Sequence, residues 1–260
     1  MTRTRPLLIA AAALALAGCG RGKDATGAVR GGDAAPLPPP ADARPDIDAD
    51  VAMARHMADH LTVVERMQEA VVRGQLQLVH DQGAWLAEHP EHAPLTDAEP
   101  ALARLRAAAQ LAATAPDLPA AATATAQVGG ACAACHAERG AIVAFAWEPE
   151  PEDAPALARQ MQRHQWAAAR LWQGAVGPSD QLWDEGVAAL ATLRLDVGPL
   201  VSGAHGDEVK ARVAKLRALA TQASHVDSFD TRIRLYGELL DTCVGCHQLV
   251  RPDARPMPPP

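Results

Sequence analysis

The chain has 260 residues, with 24 Lys and Arg against 31 Asp and Glu, for a formal net charge of −7. No basic run rises above that background, so a nucleic-acid partner is excluded from the expectations. The length gives room for two modest domains, and with two Phe and one Tyr their cores must be built from Ala and Leu around some other large apolar filler.

Residues 1–19 read as a secretory signal. Arg3 and Arg5 precede the apolar run from Leu7 to Ala17, which is too short to span a bilayer. The run closes on Leu16-Ala17-Gly18-Cys19, which resembles the lipobox of bacterial lipoproteins. That resemblance implies a lipidated Cys19 at the mature N-terminus and a location on the periplasmic side of a bacterial membrane, where two or more acyl chains anchor stably. Residues 20–46 are rich in Gly, Ala, Asp and Pro without apolar periodicity, as expected of a disordered tether.

From Ile47 onward the pattern is helical. Val51, Met57, Leu61, Val64, Met67 and Val71 recur at three and four up to Gly74, predicting a first long helix. Further helices are predicted over about 75–88, 97–114 and 116–139, punctuated by Pro90, Pro94, Pro116 and Pro119. Nothing alternates like a strand. The second half repeats the first: Ala54-Arg55-His56-Met57-Ala58-Asp59-His60 aligns with Ala158-Arg159-Gln160-Met161-Gln162-Arg163-His164, and Asp81-Gln82-Gly83 with Asp184-Glu185-Gly186. One domain is therefore duplicated, with extra residues before the third helix of the second copy. The domains are expected at 47–146 and 153–251, joined by a charged linker at 147–152 and followed by a disordered Pro-rich tail at 252–260.

Each copy ends on the same motif, Cys132-Ala133-Ala134-Cys135-His136 and Cys243-Val244-Gly245-Cys246-His247. On a helix, Cys, Cys and His at i, i+3 and i+4 fall within about one turn on one face. Two thiols can then form thioethers to one porphyrin while the adjacent imidazole reaches its iron, so each motif reads as a covalent haem c site. A redox CxxC pair, or a zinc site in which the two pairs meet, needs the thiols but not a His directly after each pair. Four of the five cysteines are used in this way and the fifth is Cys19, which leaves none for a disulfide. Two buried porphyrins would supply the missing apolar bulk.

Four helices with CxxCH near the end of the fourth, the Val71-Val72-Arg73-Gly74 close of the first, and an Arg soon after the motif (Arg139, Arg251) resemble the cytochrome c′ family and its low-spin cytochrome c-556 relatives. The resemblance covers both halves. It implies an all-α chain of two tandem antiparallel four-helix bundles, each holding one haem c, with His136 and His247 as proximal iron ligands. The family's distal position, counted back from Gly74, falls at or beside Met57. His60 follows on the same face, and Met161 and His164 reproduce the pair. A Met there is commonly core filler, and a His commonly bonds a carbonyl or a propionate. The recurrence of both types in both copies favours one of each pair as a distal ligand, with the choice between them open. His56, His80, His89, His92, His205 and His225 have no repeated partner and are expected to be exposed. Trp85, Trp166, Trp172 and Trp183 are expected to pack between helices or against haem.

No acid/base pair or nucleophile stands out, and an electron carrier needs none. The expected function is single-electron transfer between respiratory redox partners by a membrane-tethered dihaem cytochrome, not an enzyme. The alternatives are a five-coordinate protein binding NO or CO, and the haem subunit of a larger oxidoreductase or peroxidase. Duplication could replace the dimer usual in the family, so the oligomeric state is open.

Overall fold

A computed structural model describes residues 47–91, 95, 98–196 and 205–250. Cys19, the 20–46 tether, His92, Arg251 and the 252–260 tail lie outside the described residues. Within them the chain is all-α, with eight helices and no strand. These are α1 (Ile47–Val72), α2 (Leu76–Glu88), α3 (Glu99–Ala113), α4 (Leu118–Arg139), α5 (Leu157–Val176), α6 (Asp180–Ala191), α7 (His205–Ala223) and α8 (Phe229–Val250).

Local chemistry sets the helix ends. α1 stops where Gly74 takes φ 73°, a left-handed conformation open to glycine, and Gln75 N–H closes back on the Ala70 carbonyl at 2.8 Å. α4 starts at Asp117, whose carboxylate accepts from Ala120 N–H at 2.8 Å, with Pro119 in the first turn. It ends at Gly140, again left-handed. Ser179 caps α6 in the same manner as Asp117, accepting from Leu182 N–H.

In the first half α1 packs on α2, α2 on α3, α3 on α4, and α4 back on α1. The second half repeats this order with α5, α6, α7 and α8. The halves also pack on each other, α8 against α4 and α1, and α5 against α4. A single apolar core runs through both, from Met67, Val79 and Val128 to Leu171, Trp183 and Leu235. The repeated glycines serve different neighbours. Gly83 lets α2 approach the α3 backbone at Ala113, whereas Gly186 lets α6 approach α5 at Ala167 and Leu171.

Small residues make the contact between halves possible. A Cβ on Gly129 would lie 2.8 Å from the Trp172 ring, and one on Gly130 would lie 3.1 Å from Ile233. Trp172 stacks on Tyr236 at 5.4 Å, and Gln68 of α1 donates to the Tyr236 hydroxyl at 2.7 Å. The segment from 140 to 156, between α4 and α5, has no helix and packs along α5. The Glu148 carbonyl accepts from Trp166 Nε1 at 3.0 Å and from Arg170 at 2.6 Å, and Glu150 pairs with Arg163 at 2.6 Å. Of the four tryptophans expected to pack, Trp166, Trp172 and Trp183 are buried and Trp85 is 36% exposed; the fifth, Trp147, is 80% exposed.

Filling the Gly129 gap should cost overpacking energy. Gly129→Val is expected to destabilise the fold by about 1–3 kcal/mol, seen as a lower melting temperature. A second substitution, Trp172→Leu, should recover part of the loss by removing the clashing ring.

Candidate functional site

Both CxxCH segments occupy the C-terminal turns of their helices, α4 and α8. The two helices pack side by side. Burial pushes the Cys132 and Cys243 thiols up to about 12, with the neighbouring cysteine of each motif adding to the rise. Burial also raises Cys135 and Cys246. These are neutral thiols at pH 7. All four are unbridged. Among the described residues, the ligand-bearing side chains that gather within 4.8 Å are His56, His60 and His89. The cysteines of the two motifs form no such group together.

In the second half a cavity of about 360 Å³ opens beside the motif. Cys243, Cys246 and His247 line one side, and Met161 and His164 of α5 also line it. Leu157, Leu195, Val213 and Leu216 give it apolar walls. The His164 and His247 ring centroids are 6.4 Å apart. Arg212 of α7 also borders the cavity. Its guanidinium lies across Gly245, so close that a side chain at 245 would meet it, and Glu208 pairs with it at 3.6 Å. The aligned first-half position of Gly245 is Ala134, which lacks that allowance.

The first half is arranged differently. Met57 packs with Met53 against a small apolar cluster of Leu95, Ala98 and Leu102. His60 is 6% exposed, with ring centroids 4.3 Å from His56, 5.5 Å from His89 and 5.8 Å from Trp85. His136 bonds through Nδ1 to the Val176 carbonyl at 2.9 Å. A carbonyl only accepts, so the proton is on Nδ1 and the Nε2 lone pair is available as a ligand. Val176 belongs to α5, so the second half orients the imidazole of the first motif.

The expected exposure of the unrepeated histidines holds for His205 and His225 but fails for three others. The His56 side chain is 10% exposed and contacts Glu91 at 3.0 Å. His80 is partly buried against the Ala115 carbonyl at 2.8 Å, and Trp85 stacks on a partly buried His89 at 3.9 Å. The signal for the His56 and His60 pairing was present as i, i+4 spacing on α1. The approach of His89 and Glu91 to α1 is a tertiary contact, which local spacing does not encode.

His60 and His164 share one property. Each has a buried ring nitrogen without a hydrogen-bond partner, Nε2 in His60 and Nδ1 in His164. Burial lowers both to about 4; nearby histidines add to this, His56 beside His60 and His247 beside His164. Both rings are therefore neutral at pH 7, the form that ligates metals. No protein-family model, curated protein or solved structure matches the chain.

These histidines set a pH dependence. Between about pH 6.5 and 4 the unfolded chain protonates the imidazoles while the folded chain does not, so stability falls as pH falls through that window. For His164 the loss approaches roughly 3 kcal/mol below pH 4. Denaturant titrations from pH 7 to 4 should show a smaller decline in His164→Leu than in the unmodified protein.

Proposed function

We propose that this chain is a dihaem c-type cytochrome, tethered through Cys19 to the periplasmic side of a bacterial membrane, that passes single electrons between respiratory redox partners. Its two sets of four helices are read as tandem antiparallel four-helix bundles. Cys132 and Cys135 attach one haem and Cys243 and Cys246 the other, with His136 and His247 as proximal ligands.

The observation that carries the reading is the second-half cavity. His164 and His247 border that cavity with ring centroids 6.4 Å apart, so a haem held by Cys243 and Cys246 would have both imidazoles close to it. The two thiols, the two imidazoles and the apolar walls border the same space, so these residues fit an iron porphyrin.

When bound, haem iron supplies one-electron chemistry. The protein's residues then have separable tasks. The thiols fix the group covalently, and neutral His164 offers a lone pair without first losing a proton. Met161, beside it, is the other distal candidate, and in the first half the candidates are Met57 and His60. Arg212 borders the same cavity and sets a positive charge beside Cys246. The apolar walls keep water out, which tunes potential through the local dielectric.

A gas-binding reading applies to the first half alone. Met57 turns into an apolar cluster and His60 sits among other imidazoles, which favours an iron without a ligand from α1. Such a site would take NO or CO.

Mass spectrometry of the mature protein should find two haem additions, and the double variant Cys132→Ala/Cys135→Ala should keep one. A chain carrying no haem would refute the proposal. Replacing Cys19 with Ser should release the protein from the membrane fraction or block its processing. Unchanged membrane association would remove the lipid anchor from the account.

A further inference from the structure

The first half holds three imidazoles in one place, and the repeat does not explain them. His56 and His60 are one turn apart on α1, and His89 caps the C-terminal end of α2. One ring nitrogen from each lies within 4.8 Å of the others. The second half has Gln160 where the first has His56, so the cluster is particular to the first copy.

We propose that His56, His60 and His89 form a site for a divalent transition-metal cation such as Zn²⁺, with Glu91 orienting one of the ligands. The site stands on the imidazole cluster alone and does not require the haem reading. It gives His60 a role that does not pass through the first haem.

Three features support a cation here. The first is the donor set: three imidazoles suit zinc, copper or nickel, and poorly suit calcium or magnesium. A tetrahedral ion with bonds of about 2.0–2.1 Å sets its nitrogens about 3.4 Å apart. Side-chain rotations close the difference, and His89, at a helix end with extended backbone, is free of the helix on one side.

The second feature is the buried His60 Nε2, which has no hydrogen-bond partner. An unsatisfied buried nitrogen costs free energy, and a coordinated ion satisfies it.

The third is Glu91. Its carboxylate oxygen lies 3.0 Å from His56 Nε2. A carboxylate accepts, so His56 Nε2 carries a proton and donates it to Glu91. Metal-binding histidines are commonly held by a carboxylate in this way. The Glu91 side chain is only 6% exposed, Arg106 is 4.0 Å away, and its other oxygen has no hydrogen-bond partner. A buried carboxylate needs nearby positive charge, and a dication beside His56 provides it.

The test uses the untagged full-length protein, stripped with a chelator and dialysed against Zn²⁺ alone, with bound zinc counted by elemental analysis and affinity measured by calorimetry. One zinc per chain is expected. His89→Ala should weaken binding by about 100-fold or more, and Glu91→Gln by about 10–100-fold. His225→Ala, far from the cluster in sequence and exposed, should bind as the unmodified protein does. Far-UV circular dichroism establishes that each variant is folded, and His89→Gln substitutes for any that is not. Zinc held by the cysteine pairs would survive the His89 substitutions, which separates this site from a failure of haem attachment. The proposal is overturned if the unmodified protein binds no zinc, or if the folded His89 variants keep the same stoichiometry and affinity.

Discussion

Helix α4 touches α1, α2, α3, α5 and α8, and the arrangement depends on its lack of side-chain bulk. Its buried residues are Ala, Thr and Gly with a single Val, at Val128. The distance between helix axes is set by the side chains at the contact, so a helix of small residues accepts neighbours on every side. The bulk is supplied by the partners. Trp172 comes over Gly129, and Ile233 over Gly130. Leucines at the same positions would push α5 and α8 away and divide the continuous core.

That crowding has consequences at the end of α4, where the first CxxCH motif lies. With α5 held against α4, the Val176 carbonyl reaches His136 Nδ1 and fixes the imidazole's tautomer. The first motif thus depends on the second half for its orientation. In the second half, by contrast, α8 buries Leu235, Leu239 and Leu240, and its motif opens onto a cavity shared with α5 and α7. Two copies of one sequence pattern therefore have different surroundings. One set borders a cavity with facing imidazoles, and the other sits near a three-histidine cluster and a carboxylate.

Periodicity and punctuation made much of this legible in advance. Apolar spacing on α1 and the stop at Gly74 are local properties, as are the start expected near Pro116 and the Arg139 end of α4. The structure keeps each within a residue or two. The same holds for His164, buried on the face that its spacing from Met161 suggested. What was not legible is tertiary. Gly129 and Gly130 announce a close approach without naming Trp172 and Ile233 as what approaches. Met57 and Met161 align in sequence, yet one packs against Leu95 and Leu102 and the other borders a cavity. His56 and His89 lacked repeated partners and were expected at the surface. Instead His56 lies against the buried Glu91 carboxylate and its ring stacks on His89.

The second-half cavity lined by both His164 and His247, their ring centroids 6.4 Å apart, is the geometry on which the functional reading rests. Its most direct measurement is the ferric absorption spectrum of the Cys132→Ala/Cys135→Ala protein, which retains only the second motif, recorded again after reduction under CO. The account predicts a low-spin ferric spectrum that becomes high-spin in a further His164→Ala variant, with slow CO binding before that substitution and fast binding after it. A spectrum without a haem band, or a high-spin ferric haem that binds CO rapidly with His164 intact, would contradict it.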